Sequence, residues 1–379
     1  MAILFTDPGG EYYFSSGVNV AGVWNSTSGF SLVSTAPVGR LTQYGCQQNN
    51  NPSFLQRLLG ANYVEIVAGA AIYVPAGGFT ANTALMQFFD VSTLQVDFRV
   101  DASNHITITR NGTILATSTS TIVTGSGWHY FEFQAKIDGS TGSAQVWIDG
   151  VSWVSVSGAN TKNSANAYSN KVQFTASTPT ASAYFKDMYI LETTSGGGHT
   201  ARLGDVQVAV VYPNAAGTNQ QWSNTGGASQ TASVQDGRSG SGTRPDGDTT
   251  YISDSTAGDI SDFAHDTLSA GSILGVVHVS YARSDVGTAN FQQVAISGPT
   301  VHYSATIPAG NTYNYYFDVL ENDPKTGAAW TVSNFNAATF GAAIPALLPG
   351  DEDYWQAPAP TPAKSSLKLP LGDPEEIHV

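Results

Sequence analysis

Polar and apolar residues alternate with a period of two through the middle of the first half of the chain. In TLQVDFRVD (93–101), Leu94, Val96, Phe98 and Val100 share one face. In WHYFEFQAKID (128–138), Phe131, Phe133, Ala135 and Ile137 take one face, and Trp128, Tyr130, Glu132, Gln134 and Lys136 the other. HITITR (105–110) and TILATS (113–118) flank Asn111-Gly112, and AQVWID and VSWVSV flank Asp149-Gly150. Both dipeptides suit two-residue hairpins, whose turns need positive φ. The pattern predicts an antiparallel sandwich with one wet face, its core including Phe131, Phe133, Ile137, Val146 and Ile148.

Strand signals dominate from about residue 62, beginning with the buried-type run VEIVAGAAIYV (64–74). They weaken at TTSGGGHT (193–200), which reads as a linker. They resume at DVQVAVVYP (205–213) and, after a long polar stretch at 214–248, at SILGVVHVSYAR (272–283), NFQQVAIS (290–297) and NTYNYYFDVL (311–320). The expected organisation is all-β: a sandwich over 1–195, a linker at 196–203, a second, smaller β domain over 204–348, and an extended tail over 349–379.

The tail holds six acidic residues, two lysines and the polyproline-like APAPTPA. Tyr354 and Trp355 precede that spacer, and Leu367, Leu369 and Leu371 follow it. Seven spacer residues at about 3.1 Å each reach about 22 Å. The tail is expected to be a docking arm, with these five residues as its anchors on a neighbouring subunit.

Composition narrows the function. Only 12% of the 379 residues are charged, and 15 basic against 29 acidic residues give a net charge of −14. No basic stripe can track a phosphate backbone, so nucleic acid is excluded as a partner. The lone Cys46 rules out an internal disulfide and a thiolate zinc site. The chain opens without a basic, then apolar, leader, and no run nears the roughly 20 apolar residues that span a bilayer. The expectation is synthesis in a host cytoplasm without a signal peptide, and no membrane insertion.

Candidate chemistry is sparse. A glycan-cleaving pair needs two carboxylates about 5–10 Å apart on one face. Glu132 and Asp138 are separated by the end of a strand, and Asp97 and Asp101 read as a solvated strand face. The seven histidines show no paired spacing. The Gly-rich GRSGSGTRPDGD (237–248) lacks the lysine of a phosphate loop, and Asp246, Asp248, Asp254 and Asp259 lack the calcium-loop spacing. No catalytic residue, metal site or cofactor is therefore expected, and the chain is read as no enzyme. Trp147 and Trp153, either side of Asp149-Gly150, suit either sugar stacking or packing against protein.

Several phrases together resemble tailed-phage virion proteins that open with a concanavalin A-like (laminin-G-like) jelly-roll sandwich. They are MAILFTD, PVGRLTQYGCQ (37–47), GWHYFEFQAKIDG, VWIDG and AYFKDMYILETTSG (183–196) in the first half. In the second half they are LGDVQVAVVYPNAAGTNQQW (203–222), PDGDTTYIS (245–253) and DPKTGAAWTVSNFNAATFG (323–341). The likeness spans roughly residues 1–345. Two places depart from it: Pro8-Gly9-Gly10 replaces a Gly-Phe-Asp, and Lys186 stands where relatives have a second acidic residue beside Asp187. The resemblance implies a structural component of the virion, as a tail, collar or fibre-type appendage or a head decoration. It would be built by contacts with other virion proteins and with its own copies. The alternative is a lectin-like receptor-binding module that grips host surface glycan.

Overall fold

The computed structural model describes residues 1–9, 23–33, 40, 45–48, 53–79, 82–122, 127–175, 183–194, 196–235, 247–269, 271–346, 367–369 and 375–378. The chain divides into two compact units, Met1–Ala209 and Val210–Val379. Both are built from antiparallel sheets, and the architecture is a jelly-roll β-sandwich followed by a second, smaller β-sandwich.

The first unit contains β1 (Ala2–Asp7), β2 (Ser26–Ser28), β3 (Phe30–Val33), β4 (Gly45–Gln48) and β5 (Phe54–Tyr63). It continues with β6 (Glu65–Val74), β7 (Thr83–Asp90), β8 (Thr93–Val100), β9 (His105–Arg110) and β10 (Thr113–Thr121). It closes with β11 (Gly127–Lys136), β12 (Gly142–Ile148), β13 (Val151–Ala159), β14 (Ser169–Thr175) and β15 (Tyr184–Glu192). One sheet runs β13-β12-β11-β6-β15-β4-β3, with β1 also on β15; the other runs β10-β9-β8-β7-β14-β5-β2.

The alternation predicted from the sequence sets the core. Phe131, Phe133, Ile137, Val146 and Ile148 are all buried, as are Val96, Phe98 and Val100 opposite. Phe98 and Phe133 meet across the two sheets at 5.3 Å. Asn111 and Asp149 adopt φ of 45° and 51°, followed by Gly112 and Gly150 at 86° and 78°, the primed-turn geometry these dipeptides favour. A third two-residue hairpin, Val91-Ser92 between β7 and β8, carries no such signal: Val91 sits at φ 52°, where a β-branched residue is strained. The sequence also understates the N-terminal strands β1–β5. Asp97 is not on a solvated face. It is buried, paired with Arg99 at 2.7 Å and accepting from the Thr109 hydroxyl.

β16 (Val208–Val211) straddles the division between the units, and the second unit continues with β17 (Pro213–Gln220), β18 (Ser223–Thr225), α1 (Gln230–Ser233), β19 (Tyr251–Asp254), β20 (Ile260–His265) and β21 (Gly275–Ser284). It continues with β22 (Ala289–Ser297), β23 (Thr300–Tyr303), β24 (Ile307–Ala309), β25 (Asn314–Leu320), α2 (Val332–Ala337) and β26 (Thr339–Ala343). β27 (Leu367–Leu369) and β28 (Glu375–His378) come last. The polar stretch after residue 213 joins the core through Trp222 and Val234, which are buried with Ile252, Phe263 and Phe291. In the tail, β27 lies between β19 and β21, and β28 lies between β16 and β21.

His265 and His278 are buried in this unit. Burial holds His278 down to about 4, with its Nδ1 lacking a hydrogen-bond partner, and burial also lowers His265. A histidine whose folded value lies below its ordinary 6.5 takes up its proton first in the unfolded chain. Its contribution is therefore full above pH 6.5 and is lost as pH falls towards 4. The second unit is expected to lose about 3 kcal/mol of stability across that window. His278→Gln should flatten the loss, as read by urea unfolding at pH 7 and pH 4.5.

Candidate functional site

The outer face of the sheet containing β11 carries the richest chemistry in the first unit. Strand register builds it row by row across β11, β6 and β15. Trp128, Tyr73 and Tyr184 are direct neighbours in one row, and Glu132, Gly69 and Tyr189 in another.

In the second of these rows, glycine is required. A Cβ on Gly69 would lie 2.2 Å from the Tyr189 ring. Its absence lets Tyr189 lie across β6 and donate its hydroxyl to Glu132 Oε1 at 2.5 Å. The Gly204 amide donates to the same oxygen at 2.8 Å, and Arg202 pairs with Oε2. Glu132 is thus fully buried. Arg202 also lies over the Trp147 ring, 4.7 Å from its centroid, and donates to the Gly150 carbonyl at 3.2 Å.

A second anchor lies between the two rows. Asp187 adopts φ 50° at an irregularity in β15 and accepts from Arg40 Nε at 2.7 Å and from the Val208 amide at 2.9 Å. Arg40 reaches on to Asp205 and the Val206 carbonyl, and Tyr130 donates to the Asp187 carbonyl at 2.8 Å. Residues 202–208 therefore form a strap over the middle of the face, tied down by two buried carboxylates. Burial raises the Asp187 carboxyl, with Arg40 opposing the shift. Burial drives the Tyr130 and Tyr189 hydroxyls well above their ordinary value, with the Glu132 charge adding to the Tyr189 shift.

Among the described residues, no buried carboxylate ties a strap over the first row. Tyr73, Trp128 and Tyr184 are half-buried, with ring centroids 5.6 Å (Tyr73–Trp128) and 5.9 Å (Tyr73–Tyr184) apart and planes at 74° and 89°. Gln47 on β4 donates to the Tyr184 hydroxyl at 3.1 Å. Three strands spaced by about 4.8 Å make an aromatic row about 10 Å across.

The residues singled out from the sequence lie elsewhere. Trp147 is on the same outer face, opposite Ser152, beneath Arg202. Trp153 is the extra residue of a bulge in β13, half-buried. Leu367 and Leu369 belong to β27, whereas Tyr354, Trp355, Leu371 and Asp246 lie outside the described residues. Among the described residues no cluster of three or more His, Cys, Asp or Glu could hold a metal ion, and no helix is long and apolar enough to cross a membrane. The aromatic row escaped sequence reading because its members are separated by up to 111 positions; only the placement of Trp128 on the polar face of β11 hinted at it.

No protein-family model matches the chain, and no curated protein matches it. Solved structures do. An endo-β-1,4-glucuronan lyase from the fungus Trichoderma reesei matches at 14% identity and TM-score 0.38, over 51% of this chain and 96% of its own. The alginate lyase Aly36B matches at 11% and 0.37, over 50% and 98%. A carbohydrate esterase from the Shiga toxin-encoding bacteriophage phi24B matches at 17% and 0.33, over 51% and 99%. The likeness is one of fold, the β-sandwich. It corrects the expectation that the chain is no enzyme, since structures of this fold include lyases and an esterase. That expectation rested in large part on the missing carboxylate pair, which tests for glycoside hydrolysis and for neither of those reactions.

Removing Arg202 leaves Glu132 buried without a counter-charge. Arg202→Ala is expected to destabilise the first unit by about 3 kcal/mol in chemical denaturation. Arg202→Ala with Glu132→Gln should recover most of that, because no charge then stays buried.

Proposed function

We propose that the first unit recognises carbohydrate, with the open aromatic row Trp128–Tyr73–Tyr184 as its platform. The single observation that carries this reading is the row itself. Three aromatic side chains from adjacent strands stay partly open beside Gln47, on a face otherwise strapped by the chain. Aromatic faces complement the apolar C–H face of a pyranose, and the phenol and amide groups supply hydrogen bonds to hydroxyls. Trp147 and Trp153 are the second candidate platform.

The test is a glycan array and titration with the full chain. Tyr73→Ala with Trp128→Ala is expected to abolish binding, a loss of at least tenfold. Trp147→Ala with Trp153→Ala should weaken it less. Undiminished binding in the first pair would remove the row from consideration.

The finer reading is a component of a tailed-phage virion that carries this carbohydrate-recognising unit outward. Its support is the run of second-half phrases that resemble those of such proteins and a disulfide-free, Gly-rich composition suited to assembly in a host cytoplasm. In this reading the tail anchors Tyr354, Trp355, Leu367, Leu369 and Leu371 join subunits, with the β27 and β28 positions offered to a neighbouring copy by strand exchange. Deleting residues 350–379 is expected to reduce incorporation into purified particles, measured by mass spectrometry of the particle. Full incorporation of the truncated chain would remove the tail from that role.

A further inference from the structure

The opposite sheet of the first unit carries an open groove of about 330 Å³, lined by Gln56, Leu58, Asn62, Val91, Asn170 and Lys171. It lies on the outer side, since the neighbouring Val172 and Phe174 face the core. Lys171 is paired in register with Leu58 on β5 and Phe89 on β7, at the centre of three strands. Only 9% of it is exposed, and its ammonium sits 4.2 Å from the centroid of the Phe89 ring. No carboxylate among the described residues forms an ion pair with it. Arg40, Arg99 and Arg202 of this unit each pair with a carboxylate. In a chain with about two acidic residues for each basic one (29 to 15), such a cation stands out.

The groove's amides point to the same ligand. Asn62 uses its Oδ1 to accept from Asn170, and Gln56 uses its Oε1 to accept from Gln173. The Asn170 Oδ1 is taken by the Val91 amide at 2.8 Å. The acceptors are thus engaged within the protein, while the Asn62 and Gln56 NH₂ groups keep donors for a ligand. Leu58 and Val91, 48% and 67% exposed, form an apolar rim. A groove with a cation, amide donors and an apolar rim matches a sugar ring that carries a carboxylate. A partly desolvated cation without a counter-charge is unfavourable, and a bound carboxylate relieves it. Burial already lowers the Lys171 ammonium from its ordinary value, in keeping with that cost.

We infer that this groove is a second binding site, distinct from the aromatic row, which takes the carboxylate of a uronate-type saccharide on Lys171. The choice of a sugar as the carrier rests on the carbohydrate reading above; the choice of a carboxylate rests on the groove alone.

The experiment is isothermal titration of the full chain with an oligoglucuronate, the matching neutral oligoglucoside, and acetate. Oligoglucuronate is expected to bind at least tenfold more tightly than the neutral sugar. Lys171→Met should abolish that preference and Lys171→Arg should keep it. Asn62→Ala, at an exposed position, should weaken uronate binding about three- to tenfold, so the site is tested even if Lys171→Met unfolds. Measured in the Tyr73→Ala, Trp128→Ala background, where the aromatic row is removed, the preference for the charged sugar reads the Lys171 groove by itself, which separates this site from the row. Equal binding of charged and neutral sugars, a preference that survives Lys171→Met, or no uronate binding at all would overturn the proposal. Acetate binding as tightly as the oligoglucuronate would overturn the saccharide part.

Discussion

The wet face of the first sandwich depends on one carboxylate that does not reach water. Glu132 is held by a tyrosine from a strand two positions away, by an arginine 70 residues further on and by a backbone amide of the same distant segment. An ionised side chain in that position is tolerable only with all of these partners, since an uncompensated buried charge would cost several kcal/mol. The arrangement rests in turn on Gly69, because any side chain there would push the Tyr189 ring off the sheet. Glycine in a strand interior is normally a weakness; here it allows the close approach that fastens 202–208 to the face.

That fastening divides the face in two. The middle is closed by Arg202, Gly204, Val206 and Val208 and their partners. The end holding Trp128, Tyr73 and Tyr184 lies apart from these anchors, with its three rings half-buried. The two outer faces of the sandwich then differ in kind: on one sheet an aromatic row beside paired buried charges, on the other Lys171 among amide side chains.

Much of the fold was legible because period-two alternation and Asx-Gly turns act locally. Phe131 and Phe133 had to face inward once β11 was a strand, and Asn111-Gly112 and Asp149-Gly150 could adopt positive φ cheaply. The Val91-Ser92 turn was invisible because the residue there resists its own backbone conformation, so tertiary pairing of β7 with β8 overrides the local preference. Trp222 gave no period to read, being one large side chain in a polar stretch, yet it reaches the core. The site was less legible. Glu132 was correctly placed on the polar face, but its burial is caused by Arg202, and no local pattern links the two. Lys171 was equally silent, because the lack of a carboxylate beside it among the described residues is a property of its neighbours on β5 and β7.

The second unit holds a different lesson, in the order of its strands. β28 lies between β16 and β21, and β27 lies between β21 and β19, so residues near the end of the sequence occupy interior places in this sheet. Gly275 pairs with His378 and Arg283 with Lys368, separations of about a hundred residues that carry a loop-closure penalty and slow folding. On a ribosome the first sandwich can complete itself while this sheet still has gaps between its strands. β25 pairs with β21 before then, but until β27 and β28 emerge the stretches of β21 that they pair with stay unpaired, which leaves the nascent second unit open to pairing with another strand that reaches it first.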